Sequence, residues 1–145
     1  MNKDRRECKP GSDRLQSICP AGQSHAKMPV MVVDDDKGML KIICTMLTHH
    51  GFEVTRSDNA YHALGCLQEK GFHCVITDFQ MPGMDGLTLA STIKKTHPET
   101  IVVLMTGVDR EDLEKEQGVE NIDFYIQKPV RVQVLLKAIG KKGPQ

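Results

Sequence analysis

Five short apolar runs, each followed by a stretch of helical periodicity, constrain this chain more than any other feature. Val30–Val33 is a β-branched run with Met31 inside it, the pattern of a strand buried on both faces. Met39, Leu40, Ile42, Ile43, Met46 and Leu47 then recur at helical spacing, and Gly51 marks the stop. Phe52–Arg56 alternates apolar and polar residues, as suits an edge strand, and Ser57 or Asp58 can cap a second helix with the stripe Ala60, Ala63, Leu64 and Leu67. Cys74–Thr77 and Ile101–Met105 are two more buried strands, with a helix on Leu87, Leu89, Ala90 and Ile93 between them. A weak helix around Arg110–Gln117, a strand at Phe124–Gln127 and a last helix bearing Val134, Leu135, Ala138 and Ile139 complete the pattern. Strands alternating with helices imply an α/β fold, a doubly wound parallel sheet with helices on both faces. In such folds functional groups gather beyond the carboxyl ends of the strands.

Charge divides the chain. The 19 basic and 19 acidic residues cancel, which leaves no global pull toward nucleic acid or anionic membrane. Residues 1–27, however, carry six basic and three acidic residues among Pro, Gly, Ser and Gln, with few apolar ones. This segment cannot bury enough surface to offset its ordering entropy and is expected to be a mobile tail. The folded unit is expected over 28–141, with a short tail at 142–145. No apolar run approaches the roughly 18–20 residues of a membrane span, and the N-terminus lacks a signal's apolar core. Cys44, Cys66 and Cys74 sit in apolar stretches and read as small buried hydrophobes, whereas Cys8 and Cys19 in the tail lack metal-ligand spacing. A reduced, cytoplasmic setting is expected.

The strand ends carry the chemistry. Strand one ends in Asp34-Asp35-Asp36, strand three in Asp78, strand four in Thr106-Gly107 and strand five in Lys128-Pro129. Packing gives no reason for this, since clustered carboxylates raise one another's pKa. A divalent cation removes the difficulty, and hard oxygen ligands suit Mg²⁺. A metal so held commonly grips a phosphoryl group, which Lys and Thr can also stabilise. These residue types imply phosphoryl transfer with an aspartate nucleophile, and leave it open among Asp34, Asp35 and Asp78.

The segments VMVVDDDKGML, VITDFQMPGMDGLTL, VVLMTG and YIQKP, in this order, resemble the receiver domain of two-component response regulators. The resemblance runs from about Pro29 to Lys141. It implies a flavodoxin-like (βα)5 sheet of strand order 2-1-3-4-5. It implies Asp78 as phospho-acceptor, Mg²⁺ on Asp35, Asp34, Asp78 and the backbone carbonyl of Gln80, and phosphoryl contacts from Thr106 and Lys128. Tyr125 matches the aromatic that turns inward when Thr106 moves, Pro129 follows a Lys–Pro bond that is typically cis, and Gly86 looks structural. The implied partners are a sensor histidine kinase or histidine phosphotransfer protein, a downstream effector, and a second copy through helix four, strand five and helix five. Neither nucleic acid nor membrane is implied directly. Such a module is a switch rather than an enzyme, assisting only its own phosphorylation and dephosphorylation.

Two positions stand apart. Gln80 faces incoming water by analogy, so its side chain is expected to tune the lifetime of the phosphate. The fourth helix has one large apolar residue, Leu113; so narrow a stripe gains little from packing. This points either to a short, displaced or mobile helix or to one that Leu113 and Val119 suffice to hold, the rest being a solvated face. After the last helix GKKGPQ leaves no room for an output domain, so a stand-alone receiver is expected, with a fragment of a longer DNA-binding regulator or hybrid kinase as the alternative. A phosphatase of the haloacid dehalogenase type needs D-x-D-x-[TV], and here Lys37-Gly38 follows Asp36. A phosphate-independent binding module is the remaining rival.

Overall fold

The computed structural model describes residues 28–141. The expected tails at 1–27 and 142–145, with Cys8 and Cys19, lie outside the described residues. Five strands, β1 (Pro29–Val33), β2 (Glu53–Ser57), β3 (Cys74–Asp78), β4 (Ile101–Thr106) and β5 (Phe124–Gln127), form one sheet in the order β2-β1-β3-β4-β5. Every pairing is parallel, with Val30 opposite both Val54 and Cys74, and Val103 opposite Phe124. The helices are α1 (Lys37–His49), α2 (Ala60–Glu69), α3 (Gly86–Thr96), α4 (Arg110–Leu113) and α5 (Val132–Lys141), with a 3-10 turn at Val119–Asn121.

Alternation along the strands sorts the core into two layers. Val30, Val32, Ile76 and Val103 face α1 and α5 and pack with Leu40, Ile43, Leu47, Leu135 and Ile139. Met31, Val33, Val75 and Val102 face α2 and α3 and pack with Ala63, Leu67, Leu89 and Ile93. Because β1, β3 and β4 are covered on both sides, their apolar runs are continuous, as read from the sequence.

Local signals explain most element ends. Asp36 caps α1, accepting from the amides of Gly38 and Met39, and Gly51 at φ +93° lets the chain turn back toward β2. The cap of α2 is Asn59, whose side chain accepts from the His62 amide at 2.8 Å, instead of the expected Ser57 or Asp58. Ser57 is diverted, its hydroxyl donating to the Asn59 carbonyl, and Asp58 accepts from the Asn59 amide group. Val134, expected in the α5 stripe, is 44% exposed, while Leu135 and Ile139 are buried. Cys44 and Cys74 are buried free thiols. Cys66 is buried but disulfide-bonded, contrary to its reading as a simple core thiol.

The fourth helix is one turn long. Leu113 is its only buried residue, and burying one leucine yields about 1.5–3 kcal/mol, against about 1–2 kcal/mol of backbone entropy for each further residue ordered. Beyond Leu113 the stripe offers no second anchor. The following segment is held instead by Asp123. Its carboxylate pairs with Lys94 of α3 at 2.7 Å and accepts from the Val102 amide at 2.8 Å, and Lys94 also donates to the Thr100 carbonyl. The register of β5 is thus tied to α3 and β4 without a full helix above it. Native-state hydrogen exchange is expected to show amides 114–118 exchanging faster than those of β4, by on the order of 100-fold. Strong protection there would mean a longer helix than one turn.

Candidate functional site

The sheet's hydrogen-bond ladders run one residue past the strands and so fix the rim. The Asp34 amide donates to the Ser57 carbonyl, the Phe79 amide to the Met105 carbonyl, and the Lys128 amide to the Thr106 carbonyl. Asp34, Asp78, Thr106 and Lys128 are therefore all set by backbone pairing at the carboxyl end of a parallel sheet. Asp78 gains two further supports. Thr77, fully buried, donates its hydroxyl to the Asp78 carbonyl at 2.9 Å. Gly86 lies so close that a Cβ there would run into the same carbonyl oxygen and the Leu104 side chain. That close approach is what glycine permits at the start of α3.

Asp34, Asp35 and Asp78 each bring one carboxylate oxygen within 4.8 Å of the others. Asp34 and Asp78 are buried and Asp35 is exposed. Lys128 donates to Asp78 at 2.8 Å, and the Lys128–Pro129 bond is cis. Burial by itself would lower the lysine's pKa. Its bond to Asp78 and the charges of Asp78, Asp34 and Asp36 outweigh that, holding the ammonium above its ordinary value.

Asp34 is the stressed member. Burial, opposed by a hydrogen bond from the Asp36 amide to Oδ1 at 2.9 Å and reinforced by the Asp78 charge, pushes it up to about 6. Its Oδ2 is buried without a hydrogen-bond partner among the described residues. A buried acceptor left open among three carboxylates, one of them reachable from solvent, fits a hard divalent cation with room for water. Asp36 does not join the cluster's inner edge; its side chain caps α1, and its backbone amide orients Asp34.

The rest of the site lies around Thr106 and Tyr125. Thr106 is buried, and its Oγ1 accepts from the Val108 amide at 2.9 Å. Tyr125 is half-buried beside Leu104, Leu113 and Val119, and the Arg110 guanidinium stacks over its ring at 5.0 Å. Gln127 donates to the Val108 carbonyl and to Asp109, tying the β4–α4 loop to β5. Sequence reading had assigned nothing to Thr77, Arg110 or Gln127. Arg110 and Gln127 act through non-local contacts, and only Thr77, a hydroxyl directly before the acceptor, carried a local signal. Gln80 is exposed just past Asp78.

A doubly wound parallel sheet that carries a lysine-paired aspartate inside an acidic pocket at its carboxyl edge is the arrangement found in a family of signalling domains. The chain belongs to the response regulator receiver domain family, which it matches over residues 30–140. It is 32% identical over 112 residues to the response regulator protein FleR of Pseudomonas aeruginosa, a match covering 77% of this chain and 24% of FleR. It is 29% identical over 112 residues to the response regulator receiver protein CpdR of Brucella abortus, covering 77% of this chain and 93% of CpdR. Among solved structures it resembles a receiver domain protein from Clostridium thermocellum at 30% identity and TM-score 0.73, covering 79% of this chain and 92% of that one. The BeF3-activated DrrB receiver domain matches at 33% identity and TM-score 0.69, covering 79% and 96%. The chain spans about a quarter of the length of FleR and of the Escherichia coli regulator GlrR (24% and 26%). Receivers of this family are phosphorylated on aspartate and bind Mg²⁺ in an acidic pocket; they are signalling domains of two-component systems. No helix among the described residues is long and apolar enough to cross a membrane.

The raised pKa of Asp34 has a consequence for stability. Between about pH 3.8 and 6 the metal-free folded state holds a proton that the unfolded chain, at its ordinary 3.8, has already lost. The stability this contributes is full below about pH 3.8 and is lost as pH rises through about 6. Asp34→Asn is therefore expected to raise the urea stability of metal-free protein at neutral pH by up to roughly 3 kcal/mol. The difference should close below about pH 4, and urea midpoints across that range check it.

Proposed function

We propose that this receiver takes a phosphoryl group on Asp78 from a phosphohistidine of a sensor kinase or phosphotransfer protein, and signals by binding a partner. The observation that carries the reading is the Asp78 carboxylate, paired with Lys128 at 2.8 Å beside Asp34 and Asp35. In the transfer the phosphorus–nitrogen bond of the donor breaks as a bond forms to an Asp78 oxygen, and the histidine nitrogen keeps the electron pair. Lys128 stays protonated and turns its ammonium to the new phosphoryl oxygens. Thr106 gives up its bond from Val108 and donates to another of those oxygens. Asp34, Asp35, Asp78 and the Gln80 carbonyl are the groups that would hold Mg²⁺, which when bound supplies charge neutralisation at the phosphoryl group.

Tyr125 belongs to the same reading as the responding aromatic, because it packs on the strand that carries Thr106. The signalling face would be α4, β5 and α5, where a second copy could also dock. The one-turn α4 narrows that face and weighs against a dimer of the usual kind. Pro129 and Gly86 serve the site by shape. The match along nearly all of CpdR supports a receiver working without an output domain, whereas FleR and GlrR support a receiver within a longer regulator.

Incubation with a small phosphodonor and Mg²⁺ should add the mass of one phosphate to the native protein. It should add none to Asp78→Asn, and none to native protein in excess chelator. Failure of every donor and candidate kinase to modify the native chain would favour a phosphate-independent binding module. Once formed, the phosphoprotein should decay at a different rate in Gln80→Ala or Gln80→Arg, by severalfold in a time course. An unchanged decay would remove Gln80 from the path of the attacking water.

A further inference from the structure

The groove between α1 and the outer strand β2 holds cations that the phosphorylation chemistry does not use. A cleft of about 740 Å³ lies between Lys37, Leu40, Arg56 and Tyr61, and a second of about 440 Å³ lies between Lys41, Thr45, Val54 and Arg56. Arg56 lines both, so their linings are continuous through that residue. Lys37 and Lys41 stand one helical turn apart on α1, and Arg56 faces them from the sheet edge. None of the three makes an ion pair with an acid among the described residues. Asp58 is the one acid lining the groove, and its carboxylate accepts from Asn59. Tyr61 is 61% exposed. An exposed tyrosine beside an arginine is the composition of an interface centre rather than of a solvated face.

We propose that this groove docks an acidic segment of a partner protein, its carboxylates on Lys37, Lys41 and Arg56 and an apolar side chain against Tyr61. Charge complementarity selects the occupant. The basic segment 1–27 of this chain has the wrong sign. A nucleic acid would bring a continuous run of phosphates past Asp58 and the carboxylates at the head of α1, whereas a peptide can alternate acids with apolar residues to match Val54 and Tyr61. Contact here is with side chains outside the phosphoryl site, so binding does not require phosphorylation.

The test is fluorescence anisotropy of a fluorescein-labelled oligoglutamate peptide on the full chain, with oligolysine and oligo-dT probes alongside. Oligoglutamate is expected to bind and to weaken as salt rises. Lys37→Glu, Lys41→Glu and Arg56→Glu should each weaken it, the last by at least about tenfold, while Lys137→Glu on α5 changes it little. Phosphate uptake on Asp78 in each variant shows that the fold is intact. Amide shift changes on adding the peptide should fall on residues 37–48 and 54–62. Equal loss in Lys137→Glu and Arg56→Glu, shift changes elsewhere, or absence of binding overturns the proposal. Tighter binding of oligo-dT than of oligoglutamate overturns it in favour of nucleic acid.

Discussion

Lys128 reaches Asp78 across the end of β4, and the balance of charge around that contact governs the site. β3 and β5 are not neighbours; β4 lies between them. Only a long side chain leaving the end of β5 can span that gap, and its ammonium offsets one of three clustered carboxylates. The others remain uncompensated. Asp34 takes the larger strain because it is the most buried, with one oxygen unpartnered among the described residues. An unpaired buried charge is costly, so packing alone does not account for Asp34 at the head of a central strand, whereas the open oxygen beside Asp35 and Asp78 fits a divalent cation.

That strain is confined to the rim because the layers beneath it are conventional. Continuous apolar runs in β1, β3 and β4 bury both faces, and the ladders extend past the strands to Asp34, Phe79 and Lys128. Backbone pairing, rather than side-chain packing, holds the reacting groups in place. The weak point lies beside the site, where α4 is a single turn. There, Asp123 with Lys94 anchors β5 from below, while Arg110 over Tyr125 and Gln127 on the β4–α4 loop hold it from above. Around Thr106 and Tyr125 the structure therefore rests on these polar contacts instead of on a packed helix.

Much of this was legible beforehand, for physical reasons. Buried parallel strands need unbroken apolar runs, so their ends, and the acids on them, can be located by eye. The four motifs carried the choice of Asp78 over Asp34 and Asp35, which residue types alone left open. Other features depend on competition between neighbours. Ser57 and Asp58 are both good capping residues, yet Asn59 caps α2 because the other two are engaged with Asn59 itself. Val134 and Leu135 are neighbours in sequence, but successive side chains lie about 100° apart around a helix, and it is Leu135, Ala138 and Ile139 that are buried while Val134 is exposed. Leu113 pointed correctly to a weak fourth helix, and only its length needed the structure.

The sequence by itself determined the alternation, the strand ends and the residue types at the rim, because these follow from local periodicity and from the ordered spacing of four motifs. Tertiary structure decided what depends on distance through space. It set the Lys128–Asp78 contact, the unpartnered Asp34 oxygen, the Lys94–Asp123 tie across 29 residues and the grouping of Lys37, Lys41 and Arg56 along one groove. Each joins residues from separate elements, and no local pattern encodes which side chains meet when a sheet is assembled out of sequence order.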